Sequence, residues 1–170
     1  MRWATASLHD VPAGDGWLGP RERAVLAALD GERRRADWRL GRWAAKRLLR
    51  DPGVEILPAA DGAPEAWRGD DRLPLAVSIA HRRGRALAAS AERAVGCDLE
   101  PLREDRDVVP FVAFEAAAKA LRRGLLGGAR PAVEVGAGSF GVRWPDGARV
   151  AGAWWSEAGW AYAVALAPRR

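Results

Sequence analysis

Two segments of helical period, about Arg33 to Leu49 and Phe111 to Leu125, are each followed by short apolar runs bounded by turn residues, and that order confines the chain to an α+β fold. Helix followed by hairpin in both halves predicts two pseudo-duplicated lobes, about 1–90 and about 91–170, each a helix packed on a small antiparallel sheet. The 170 residues suffice for one compact domain of this kind, although no sequence repeat is visible between the halves.

Pro20 to Leu29 reads as a short first helix, with Pro20 in its first turn and Gly31 after its end. On the second helix Trp38, Ala45, Leu48 and Leu49 form an apolar stripe, flanked by a basic edge of Arg35, Arg39, Arg42, Lys46 and Arg50. Such an edge is suited either to gripping phosphates or to facing solvent. Asp51-Pro52-Gly53 ends the helix, and Ala59 to Arg72 reads as a polar loop. Leu75 to Ala80 and Arg85 to Ser90 form a hairpin about His81-Arg82-Arg83-Gly84, and Ala94 to Glu100 is a third strand. After Pro110, Phe111, Phe114, Ala118, Leu121 and Leu125 mark a helical stripe that runs to Gly127-Gly128. The tail returns to strands at Ser139 to Trp144, Ala148 to Trp155 and Trp160 to Ala167.

No run has the length of a membrane span or the layout of a signal peptide, so the chain reads as a mature cytoplasmic protein. A lone Cys97 excludes an internal disulfide and a cysteine-built zinc site, and its setting suits a small buried residue. The net charge of +5 with 27 Lys and Arg suits a phosphorylated partner. The nine Trp are scattered and read as packing residues; neither nucleic acid nor a membrane is expected as a partner.

The chemistry concentrates in two acidic clusters. In Val95-Gly96-Cys97-Asp98-Leu99-Glu100, a strand puts Asp98 and Glu100 on one face, because side chains alternate with period two. In Phe111 to Lys119, a helix puts Glu115 and Lys119 on one face, four residues apart. Three carboxylates and an ammonium of this kind suit a hard cation such as Mg²⁺ and the phosphate it bridges. The bland alternatives are a solvent-facing strand, a surface ion pair worth a few tenths of a kcal/mol, roughly, and a histidine at position 81 that caps a hairpin.

Val77-Ser78-Ile79-Ala80-His81, Val95 to Glu100 and Phe111 to Lys119, taken in that order, resemble the motifs of the Sfp-type 4′-phosphopantetheinyl transferases. Leu18 to Arg23, Arg33-Arg34, Gly41-Arg42 and Ala45-Lys46 resemble that family's amino-terminal helices, so the resemblance covers about Leu18 to Gly128. It implies the two-lobed transferase-like fold and the transfer of phosphopantetheine from coenzyme A to a serine of an acyl or peptidyl carrier protein. Such carriers serve polyketide or nonribosomal peptide biosynthesis. The implied ion is Mg²⁺, held by Asp98, Glu100 and Glu115 on the diphosphate. By the same resemblance Glu115 is the base toward serine, Lys119 neutralises phosphate, and His81 lies beside the nucleotide phosphates. Arg33 or Arg34 meets the 3′-phosphate, and Arg42 is a further basic contact. A relative with both lobes in one chain is expected to act as a monomer.

The chain departs from the family pattern at four places. Phe114 stands where the family has lysine, Ala80 where it has serine, and Gly62-Ala63-Pro64 where it often has a cation between Gly and Pro. Only fourteen residues separate Glu100 from Glu115, a shortened connection in a region that relatives use for carrier docking. Two further readings therefore accompany transfer. One is a relative without transfer activity that binds a carrier protein or coenzyme A derivative; the other is different chemistry on the same fold.

Overall fold

The chain begins with strand β1 (Arg2–Ser7), a short 3₁₀ turn (Leu8–Asp10), helix α1 (Pro20–Ala27) and helix α2 (Glu32–Leu49). Strands β2 (Val54–Pro58), β3 (Pro64–Arg68), β4 (Asp71–Arg82), β5 (Arg85–Ala91) and β6 (Val95–Pro101) follow. Helix α3 (Val109–Ala120) then precedes β7 (Ala132–Val135), β8 (Ser139–Arg143), β9 (Arg149–Glu157) and β10 (Trp160–Leu166). This computed structural model describes residues 1–124 and 131–168. It divides into two compact units, Met1–Glu92 and Arg93–Arg170.

Each unit holds one five-stranded antiparallel sheet, in the order β1-β5-β4-β3-β2 in the first and β6-β10-β9-β8-β7 in the second. The orders correspond strand for strand, with a helix after the opening strand in each and the opening strand paired to the last. The architecture is therefore α+β, with the same sheet topology twice.

In the first unit Leu40, Ala44, Ala45 and Leu48 of α2 pack on Ala6, Val54, Ile56, Val77, Ala86 and Ala88 of the sheet. Gly41 permits the close approach, since a Cβ there would lie 2.8 Å from Ile79 Cγ2. The β4–β5 turn is two residues, Arg83 and Gly84, both at positive φ, the geometry that matches strand twist in tight hairpins. His81 therefore lies within β4 and not in the turn. The segment expected as a loop over Ala59 to Arg72 contains β3 and the start of β4. Its Pro64 sits at the strand's first residue, where a missing N–H is tolerated.

Arg42 and Lys46, expected on the basic edge of α2, are buried. The reason lies in β2, an edge strand whose outward backbone groups have no ladder partner. Arg42 Nε donates to Ile56 O at 2.9 Å, and Lys46 Nζ donates to Val54 O at 2.7 Å. Glu22 of α1, fully buried, accepts from Ile56 N at 2.9 Å and pairs with Lys46 at 2.9 Å. One carboxylate and two cations thus close the sheet edge and bind α1, α2 and β2 together. Burial pushes the Arg42 guanidinium down to about 10, against the pull of Glu22.

In the second unit α3 lies on the face of the sheet that carries Ala161, Ala163 and Ala165. Of the expected stripe of Phe111, Phe114, Ala118 and Leu121, only Ala118 belongs to the buried face. Val109, Val112, Ala113, Ala116, Ala117 and Ala120 are buried, Phe111 is 37% exposed, and Phe114 and Leu121 flank the core. Residue volume explains the difference. A Cβ on Gly96 of β6 would lie 1.9 Å from Ala116 O and 2.5 Å from Ala120 N, so helix and strand meet nearly backbone to backbone. Only small side chains fit so narrow a gap. The helix ends at Ala120 in a Schellman arrangement, with Arg122 at positive φ, Arg122 N donating to Lys119 O and Arg123 N to Ala118 O. The later part of the expected helix, from Leu125 to Gly128, lies outside the described residues. Among the tryptophans, Trp17 meets Trp43 edge-on at 5.3 Å, and Trp155 stacks on Tyr162 at 5.3 Å.

Two stability measurements test this packing. Gly96→Ala should destabilise the fold by about 3 kcal/mol, because the obstructing atoms are backbone and have no rotamer with which to yield; an unchanged urea midpoint would show that α3 is free to shift. Lys46→Met should cost roughly 3–5 kcal/mol by leaving Glu22 buried without its cation, and Glu22→Gln in the same chain should recover part of that loss.

Candidate functional site

Gly96, Asp98 and Glu100 occupy alternate positions of β6, opposite Ala165, Ala163 and Ala161 of β10, on the face that α3 covers. The glycine that lets α3 approach is therefore two residues from the carboxylate that α3 engages. Lys119, in the last turn of α3, donates to Asp98 Oδ1 at 2.6 Å and to Cys97 O at 3.2 Å. One turn earlier Glu115 places Oε2 3.8 Å from the same Nζ. Asp98, Glu115 and Lys119 thus meet where the strand and the helix are closest.

Asp98 is 5% exposed, and its buried Oδ2 makes no well-formed hydrogen bond among the described residues, although the Leu99 N–H and the Glu115 carboxyl are close enough to act on the Asp98 carboxylate. Burial raises the Asp98 pKa above the usual carboxylate range, against the ammonium of Lys119. Glu115 is raised from 4.5 to about 7, first by burial and then by the Asp98 and Glu100 carboxylates, with Lys119 pulling the other way. Burial alone would lower the Lys119 ammonium, but Asp98, Cys97 and Glu115 outweigh it and raise the pKa. Negative charge exceeds positive charge at the site, and it is only partly hydrated. That is the donor chemistry a hard divalent cation satisfies, and Asp98 Oδ2 supplies a ligand atom for it.

Asp98 and Glu115 are thus brought together, with Glu100 on the same strand face and close enough to act on Glu115. Among the described residues no three His, Cys, Asp or Glu side chains are already gathered as a ligand set. His81, Arg33, Arg34 and Arg42 belong to the first unit. His81 is exposed on the α2 side of β4, with Cδ2 3.8 Å from where a Gly41 Cβ would lie. Arg33 and Arg34 are exposed in the first turns of α2, with Arg33 Nε 3.9 Å from Asp37. Arg42, by contrast, is committed to Ile56 O and lies over the Trp38 ring at 4.5 Å. Phe114 packs on Trp144, with ring centroids 6.4 Å apart.

Two contributors escape a reading of residue types alone, namely Gly96, which sets the gap, and the Cys97 carbonyl, which helps hold Lys119. The small residue two positions before Asp98, on the same face, was the available signal for the first. A backbone carbonyl leaves no such signal. No protein-family model matches the chain, and no curated protein matches it. No helix among the described residues is long and apolar enough to cross a membrane.

The raised Glu115 pKa makes stability depend on pH with a definite sign. Between 4.5 and about 7 the folded state holds a proton that the unfolded chain has released, so this group lowers stability as pH rises through that interval. The penalty is complete above pH 7 and absent below 4.5. Fully buried, such a shift would be worth about 3 kcal/mol; partial solvent screening reduces it to roughly 1–2 kcal/mol. Glu115→Gln should therefore stabilise the protein by that amount at pH 8 and hardly at all at pH 4.5. Urea unfolding at both values decides the matter, and an equal gain at each would contradict the assignment.

Proposed function

We propose that the chain transfers 4′-phosphopantetheine from coenzyme A to a serine hydroxyl of an acyl or peptidyl carrier protein, with Mg²⁺ at the β6–α3 site. The observation that carries this reading is the convergence of Asp98 and Glu115 on one lysine at a buried point where Asp98 Oδ2 makes no well-formed hydrogen bond. Sequence motifs in the transferase order add to it, with Glu100 as the third carboxylate.

Asp98 and Glu115 would hold the cation, with Glu100 supporting them from the same strand face. When bound, the cation neutralises diphosphate charge and eases departure of 3′,5′-ADP. The serine oxygen forms a bond to phosphorus as the bond from phosphorus to the ADP oxygen breaks, and the serine proton passes to a carboxylate. Glu115 is the carboxylate assigned to that role, which asks for a base within hydrogen-bond reach of the serine hydroxyl. Lys119 supplies a positive charge for phosphate oxygens. Arg33, Arg34 and His81 of the first unit enter this reading as nucleotide-phosphate contacts by the sequence resemblance alone. Arg42 is the weaker candidate, because its Nε is already spent on Ile56 O.

A second reading, an accessory protein that binds a carrier or a coenzyme A derivative without transfer, draws on Phe114. The position at which the family has a phosphate-binding lysine is here an aromatic ring packed on Trp144.

Isothermal titration of coenzyme A with and without Mg²⁺, followed by mass spectrometry of apo carrier proteins, separates the readings. Transfer requires Mg²⁺-dependent binding that Asp98→Asn abolishes, together with a phosphopantetheine mass gain on carrier. Glu115→Gln should lower turnover by about 10²–10⁴-fold. Binding without any mass gain across acyl and peptidyl carriers would favour the accessory role, and no binding of either coenzyme A or a carrier protein would remove both.

A further inference from the structure

Among 27 Lys and Arg residues only Lys46 and Lys119 are lysines, and each is held against a carboxylate. Arginine spreads its charge over a planar fork, whereas an ammonium is a compact point cation that several oxygens surround. At Lys46 that arrangement is complete. Its Nζ meets Glu22 Oε2 at 2.9 Å and Val54 O at 2.7 Å. The remaining capacity of Glu22 is taken by Ile56 N on Oε1 and Gly19 N on Oε2, each at 2.9 Å.

At Lys119 the arrangement is unfinished. Nζ meets Asp98 Oδ1 at 2.6 Å and Cys97 O at 3.2 Å, but Glu115 Oε2 stands 3.8 Å away, and Asp98 Oδ2 makes no well-formed hydrogen bond among the described residues. One positive charge therefore faces two carboxylates. The lysines also differ in freedom of movement: the side chain of Lys119 is 31% exposed and that of Lys46 only 7%.

We propose that Lys119 is a displaceable stand-in for a divalent cation, competing with it for the Asp98 and Glu115 oxygens. The inference rests on the metal-site reading above. A dication matches the charge of two carboxylates, ligates oxygen more closely than an ammonium does, and repels the ammonium it replaces. Lys119 then swings on its four-carbon stem toward solvent, where an anionic phosphate is its natural partner. Metal alone binds weakly, because the protein already carries a competitor. Phosphate strengthens metal binding by giving Lys119 somewhere else to go.

Titration of the full chain with Mn²⁺, followed by electron paramagnetic resonance of the free ion, tests the competition without any turnover. Lys119→Met should take up Mn²⁺ at least roughly tenfold more tightly than the wild type, and Asp98→Asn in the same chain should abolish the gain. A second measurement needs no variant. With isotope-labelled lysine the wild type has only two side-chain signals, and Mg²⁺ should move that of Lys119 while leaving that of Lys46 in place. Equal Mn²⁺ affinity in wild type and Lys119→Met, or an unmoved Lys119 signal at saturating Mg²⁺, overturns the stand-in role and leaves the metal site itself standing. No uptake of Mn²⁺ by any form overturns both.

Discussion

The near contact of the α3 backbone with β6 at Gly96 governs the second unit. With no Cβ at that residue, and alanines at 113, 116, 117 and 120 on the helix and at 161, 163 and 165 on the sheet, the two elements close to a distance that larger side chains forbid. Closeness then dictates the electrostatics. Lys119 reaches the backbone carbonyl of Cys97 and the carboxylate of Asp98 together, and Asp98 loses its water. The elevated pKa values of Asp98 and Glu115 begin with that desolvation, and the shared negative charge adds to it.

The two units repeat a topology without repeating its chemistry. In the first, the positions of β1 packed toward α2 include Ala4 and Ala6, and the cations of α2 turn instead to the open edge of β2 and to Glu22. In the second, the opening strand presents Asp98 and Glu100 to its helix, and the lysine of that helix answers them. The first arrangement satisfies every oxygen of Glu22 and serves stability. The second leaves Asp98 Oδ2 without a well-formed hydrogen bond and sets a second carboxylate, Glu115, beside it. Fold and site are thus separable, and the same sheet order supports a clasp in one unit and a reactive cluster in the other.

Strands with strong alternation and helices with clear caps were legible before any coordinates. The hairpin of β4 and β5, strand β6 and the three strands of the tail occur within a few residues of where their patterns place them, and the helix at Pro110 starts as expected but ends at Ala120, short of the expected Gly127-Gly128. Strands β1, β2, β3 and β7 were not anticipated. They are short and lie at or next to a sheet edge, so each offers too few residues for an alternation to stand out. The basic edge of α2 misled for the opposite reason: charge in a sequence suggests solvent, whereas Arg42 and Lys46 answer unpaired carbonyls that exist only once β2 has become an edge.

Periodicity alone determined that Asp98 shares a strand face with Glu100, and that Glu115 shares a helix face with Lys119, because those relations are local and follow from backbone geometry. Tertiary structure decided which of those faces meet. The bulky Phe111 and Phe114 make the more hydrophobic stripe of α3, yet the alanine face is the one that fits against Gly96, since volume complementarity across the gap outweighs hydrophobicity along the helix. Burial of Asp98 and the displaced pKa of Glu115 both descend from that choice. No local pattern encodes them, because each depends on the distance between two elements that the chain brings together only when it folds.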